Sequence, residues 1–139
     1  MSAESNIKII QNIYAAFGRG DVPAILEMLS EDVKWGIVSG SKASAGVPWH
    51  EQLRGRSNVS KFFIALATHA DFTRFEPQAF VADDRYVYAT ISWDATYKKT
   101  GRRITTSGMH RFTFQNGRVS EWVGLEDTAL SAEIVAEGR

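Results

Sequence analysis

No cysteine occurs in the 139-residue chain, which excludes disulfides, thiolate nucleophiles and zinc–thiolate sites and removes any need for an oxidising compartment. Charge of one dominant sign is missing too: sixteen basic and sixteen acidic residues cancel, so no broad basic surface for nucleic acid is expected. The local cluster Lys98, Lys99, Arg102 and Arg103 reads as a solvated hairpin tip. No apolar run approaches membrane length and no signal-peptide pattern precedes the first helix, so the expectation is a soluble, cytoplasmic protein with no membrane partner. Gly18, Gly20 and Gly40 fit no phosphate-binding spacing, and neither His-x-x-x-His nor clustered carboxylates occur. Neither a cofactor nor a metal is therefore expected.

What is present describes one domain, 1–139, long enough to bury about two-thirds of its unfolded surface. Ile7, Ile10, Ile13, Tyr14 and Phe17 fall at helical spacing before Gly18, and Asp21 with Pro23 starts a short second helix through Ile25, Leu26 and Leu29. Val33, Trp35 and Ile37 alternate on a strand, and Ser39 to Gly46 reads as a surface loop or lid. Ser57 is the expected cap of a third helix carrying Val59, Phe62, Phe63 and Leu66. From Phe72 the period changes to two, giving four antiparallel strands in a meander and a short closing helix capped by Asp127. Helices segregated from an antiparallel sheet make an α+β fold with one sheet face covered.

In "GMHRFTFQNGRVSEW", Asn116-Gly117 fits a type I′ hairpin turn. A two-residue loop pairs Phe114 with Val119, Phe112 with Glu121, and His110 with Val123. His110 then shares the apolar face with Phe112, Phe114, Val119, Val123 and Leu125, with Glu121 on a diagonal. Two readings stay open for it: a core histidine satisfied by backbone or Glu121, or a neutral-pH proton carrier in a pocket. Glu121 is either its carboxylate partner or a group at a sheet edge facing water. Asp127 is either a second partner or simply a helix cap, which binds its carboxylate to backbone N–H groups about 13 Å along the strand from His110. By strand parity Glu126 points to the other face. Asp94, on the face of Tyr86 to Ser92, reads as structural or interfacial.

The order of elements, with "AAFGRGDVPAILEMLSEDVKW" near the start and "HRFTFQNGRVSEW" near the end, resembles the nuclear transport factor 2-like superfamily over essentially the whole chain. Its SnoaL-like cyclase and ketosteroid-isomerase-related branches look most similar. That resemblance implies a cone: a strongly bent antiparallel sheet wrapped around three N-terminal helices, an apolar pocket, and often a homodimer through the sheet face. Carried over by position, the isomerase tyrosine falls on Ile13, with Tyr14 about 100° further round the helix. The general-base aspartate falls on Ile37, and the protonated acid of the oxyanion hole falls on His110. Two of three groups are therefore missing, which argues against steroid isomerisation by that route. The resemblance favours the pocket reading of His110 and suggests Tyr14, Phe17, Trp35, Ile37, Phe62, Phe63, Phe112 and Trp122 as walls around a small apolar molecule.

Trp122 has a second reading, as a partner of Arg111 on the outer sheet face. Trp49 and His50 either cover the pocket mouth or belong to an exposed loop, the reading favoured for His50. His69 ends the third helix, where the dipole favours a cation. The functional expectation is a cofactor-independent enzyme of isomerase or cyclase type acting on a carbonyl or polyketide-like molecule by general acid–base catalysis. His110 would be the proton carrier, with Glu121 or Asp127 as orienting carboxylate. The alternative is a ligand-binding or dimerisation module without chemistry.

Overall fold

A computed structural model describes residues 2–37 and 46–139. The expected lid at 39–46 lies outside these residues except for Gly46. Helix α1 (Ala3–Arg19) starts at a capping box between Ser2 and Ser5 and ends at Gly20 in the left-handed region, φ 69°. Its apolar stripe buries Ile10, Ile13 and Tyr14. Helix α2 (Val22–Leu26) is capped by Asp21, which accepts from the Ala24 amide. Strands β1 (Leu29–Ile37) and β2 (Leu53–Arg54) lie on either side in sequence of a 3-10 turn at Pro48–His50. Helix α3 (Arg56–His69) follows, then β3 (Ala70–Ala82), β4 (Tyr86–Tyr97), β5 (Arg103–Gln115), β6 (Arg118–Leu125) and α4 (Thr128–Glu137). No described helix is long and apolar enough to cross a membrane.

The six strands form one mixed sheet in the order β2-β1-β6-β5-β4-β3. Four of them make the expected meander. The junction between β1 and β6 is parallel, an exception to the antiparallel expectation. Register shifts at Phe72/Arg74 and Pro77/Ala79 interrupt the β3–β4 ladder, and such bulges bend and twist a strand. Pro77 is tolerated because β3 is an edge strand. Along β4 the alternation is strict: Val87, Ala89, Ile91, Trp93, Ala95 and Tyr97 are buried toward the helices. Asn6 of α1 is fully buried and donates to the Asp84 carbonyl at 3.2 Å, which ties the helix to the β3–β4 turn.

Three local expectations need correction. Leu29 does not extend the second helix, which ends at Leu26; it opens β1. Ser57 does not cap α3: the cap is Gly55 at φ 93°, which makes no side-chain cap hydrogen bond. The β5–β6 hairpin begins as expected, with Asn116 and Gly117 at positive φ and Phe114 opposite Val119. The register then shifts between Thr113 and Phe114, leaving Ser120 as an extra residue on β6. One inserted residue reverses the facing of everything beyond it. Phe112 therefore pairs with Trp122 and His110 with Gly124, while Glu121, Val123 and Leu125 move to the outer face.

Candidate functional site

Sheet and helices enclose a cavity of about 120 Å³ with almost wholly apolar walls. Every residue expected as a wall borders it: Tyr14 and Phe17 from α1, Trp35 and Ile37 from β1, Phe62 and Phe63 from α3, Phe112 from β5 and Trp122 from β6. The parallel pairing of β1 with β6 sets Trp35 beside Trp122, and their rings stack at 4.6 Å and 28°. Such a pair contributes about 0.5–1.5 kcal/mol beyond its buried area. The His110 and Trp122 rings lie edge to face, with centroids 5.0 Å apart and planes at 76°. Trp122 is thus a cavity wall, and the expected outer-face pair with Arg111 does not form. Arg111 instead bonds Glu121 at 3.0 Å and lies over the Tyr86 ring.

His110 also borders the cavity. Its Nδ1 lies 2.8 Å from Tyr14 Oη, a contact that joins the middle of α1 to the middle of β5. Burial among Phe75, Phe80, Phe112 and Trp122 holds His110 down to about 3 and raises the Tyr14 phenol above its ordinary value. Both groups are therefore neutral at physiological pH. Two hydrogen placements satisfy the contact. When Tyr14 O–H donates to Nδ1, the pair turns outward an Nε2–H donor and a phenol oxygen acceptor. When Nδ1–H donates to Tyr14 Oη, it offers the phenol O–H as donor and bare Nε2 as acceptor. Either way the pair presents one donor and one acceptor.

Neither expected carboxylate reaches this pair. Glu121 faces outward with Arg111, because the bulge at Ser120 turned it away. Asp127 borders the cavity but spends Oδ1 on the Leu130 amide at 3.0 Å as the cap of α4. Asp94 is structural, held by Arg74 at 2.9 and 3.1 Å and by Thr105 at 2.8 Å. His69 stacks on Tyr97, 6.1 Å between centroids.

A second polar group was placed wrongly by sequence reasoning. His50 is 4 % exposed, not an open-loop residue, and its Nε2 donates to Glu126 Oε2 at 2.9 Å. Trp49 Nε1 donates to the same oxygen at 3.3 Å, and Ser131 Oγ of α4 donates to it as well. Strand parity assigned Glu126 to the far face, but β6 ends at Leu125 and the rule stops there. The available signal was the pair Trp49-His50, an aromatic and an imidazole adjacent in a loop beside an apolar pocket.

A family model for the SnoaL-like domain matches residues 10–122. No curated protein matches the chain. Among solved structures, an NTF2-like protein of unknown function from Burkholderia pseudomallei is 24% identical, with a TM-score of 0.84 over 94% of this chain and 97% of that one. TerC, crystallised with polyporic acid, is 21% identical, with a TM-score of 0.80 over 95% and 98%. A proposed polyketide cyclase from Xanthomonas campestris is 21% identical, with a TM-score of 0.76 over 96% and 98%. At these identities the likeness is one of fold.

Proposed function

The chain belongs to the SnoaL-like domain family, and on that premise we propose that it is a cofactor-independent enzyme of isomerase or cyclase type acting on a small, largely apolar carbonyl compound. The observation that carries the proposal is the 2.8 Å contact between Tyr14 Oη and His110 Nδ1 at the cavity wall. An imidazole this hard to protonate is a poor base alone, since it would have to become a cation in a dry site. Coupled to Tyr14 it does not. His110 Nε2 takes the proton from the carbon next to the carbonyl while Tyr14 gives its hydroxyl proton to the carbonyl oxygen. Nδ1–H then replaces the proton lost by Tyr14. The C–H bond breaks, its electron pair becomes the enol double bond, and both protein groups end neutral in the opposite hydrogen placement. Run backward at another carbon, the same exchange completes an isomerisation.

The likeness to a proposed polyketide cyclase, to a proposed isomerase from Rhodopseudomonas palustris and to TerC with polyporic acid supports an aromatic or polyketide-like substrate. The testing experiment follows deuterium entering the methyl group of acetophenone in D₂O by NMR. Wild-type protein accelerates the exchange and His110→Ala does not. A second reading, a binding module without chemistry, draws on the absence of a carboxylate partner for His110 among the described residues; bound ketone with no accelerated exchange would establish it over the enzyme.

A further inference from the structure

Resting on the cavity being a ligand site, we infer that its ligand carries a hydroxyl group and that this hydroxyl is held by Glu126 Oε1. Three donors converge on Oε2 of Glu126: Trp49 Nε1, His50 Nε2 and Ser131 Oγ. They come from two segments, the 3-10 turn and α4, so the orientation of the carboxylate is set by both. Oε1 has no partner among the described residues, although a carboxylate accepts at both oxygens. The Glu126 side chain is 12 % exposed and borders the cavity, so the free oxygen has the cavity as its outlet.

The support beneath Glu126 is itself buried. His50 Nε2 carries the hydrogen that Oε2 accepts, and Nδ1 is enclosed without a partner among the described residues. Rotating the ring would break the bond to Glu126, so the arrangement is held with one unsatisfied ring nitrogen. A carboxyl oxygen presented to apolar walls favours a ligand that brings a donor. A cation would first have to shed its hydration shell against these walls, whereas a hydroxyl on an aromatic ring brings a donor and an apolar body together. With Tyr14 and His110 holding a carbonyl oxygen, the ligand class is a flat aromatic ketone with a hydroxyl group elsewhere on the ring.

The chemistry of the anchor supplies its own control. In Glu126→Gln the three donors fix the amide oxygen at the Oε2 position, so the amide NH₂ takes the place of Oε1 and the cavity meets a donor where it met an acceptor. Acetophenone, para-hydroxyacetophenone and para-methoxyacetophenone are titrated at about pH 6, where the phenol is un-ionised. The indole N–H resonances are followed, since all four tryptophans border the cavity and Trp49 bonds Glu126 directly. Wild-type protein is expected to bind the hydroxy ketone about tenfold or more tighter than the methoxy ketone, the scale of one hydrogen bond to a charged group. Glu126→Gln brings that ratio to one or below. Equal affinities in wild type, or a preference that survives in Glu126→Gln, would overturn the inference while acetophenone binding keeps the cavity as a ligand site. Failure of all three ketones to bind would overturn both. Should Glu126→Gln not fold, the wild-type ratio, with movement of the Trp49 indole resonance by the hydroxy ketone alone, decides.

Discussion

Tyr14 Oη and His110 Nδ1 meet at 2.8 Å across 96 residues of sequence, and among the described residues no third side chain hydrogen-bonds to either of them. The pair is neutral because burial penalises both ions, and it is paired because a lone buried hydroxyl or imidazole would be left unsatisfied.

His110 is therefore expected to show no titration between about pH 5 and 8 in NMR spectra of its ring. Stability follows with a definite sign. The folded value, about 3, lies below the unfolded value of about 6.5, so the unfolded chain binds the proton first. The contribution is fully present above about 6.5 and is lost as pH falls toward about 3, at no more than about 1.4 kcal/mol per pH unit for this one group. Denaturant titrations of wild type and His110→Gln measure it: the acid-side slope is smaller in the variant.

Asp127 is expected to behave as a cap. Asp127→Asn, an equally good N-cap, keeps stability within a few tenths of a kcal/mol, whereas Asp127→Ala costs about 1 kcal/mol in denaturant unfolding. Loss of ketone exchange in a fully stable Asp127→Asn would instead make Asp127 part of the chemistry.

Gly108 and Gly124 let backbone and rings approach inside the cone. A Cβ on Gly108 would collide with the Leu125 carbonyl oxygen and sit 3.0 Å from the Trp93 ring; one on Gly124 would lie 2.7 Å from Ile37 Cδ1 and 2.8 Å from the Trp122 ring. Each Gly→Ala change is expected to cost about 1–3 kcal/mol by overpacking, read as a lower denaturation midpoint.

The homodimer through the sheet face is a proposal that rests on Tyr88, Met109 and Leu125, exposed large side chains of β4, β5 and β6. Met109 pairs with both Thr90 and Leu125, so its side chain stands between neighbours on that face. Sedimentation is expected to give a dimer for wild type and a monomer for Met109→Lys; a wild-type monomer at high concentration would refute the pairing.

Local signals were readable where the cause is local. Asn116-Gly117 dictates its turn, Asp127 caps the helix that follows it, and the α1 stripe is the one that is buried. Seven of the eight expected wall residues border the cavity where alternation and helical spacing put them, and Trp122 joins them through the bulge at Ser120. The site's polar partners were not readable, for three physical reasons. A bulge at Ser120 has no signature in composition, and it exchanged Glu121 for Trp122 on the inner face. Contact between Tyr14 and His110 depends on how α1 lies across the sheet, which spacing within α1 does not encode. Glu126 and His50 follow the ends of regular elements, where no periodicity applies.

The most direct test of the central claim is the pH–rate profile of acetophenone deuterium exchange. A neutral pair that swaps its hydrogens predicts a flat rate from about pH 5 to 8, lost in Tyr14→Phe, because neither partner changes charge in that range. A rate that rises or falls with a midpoint near 6.5, or that persists in Tyr14→Phe, would contradict it.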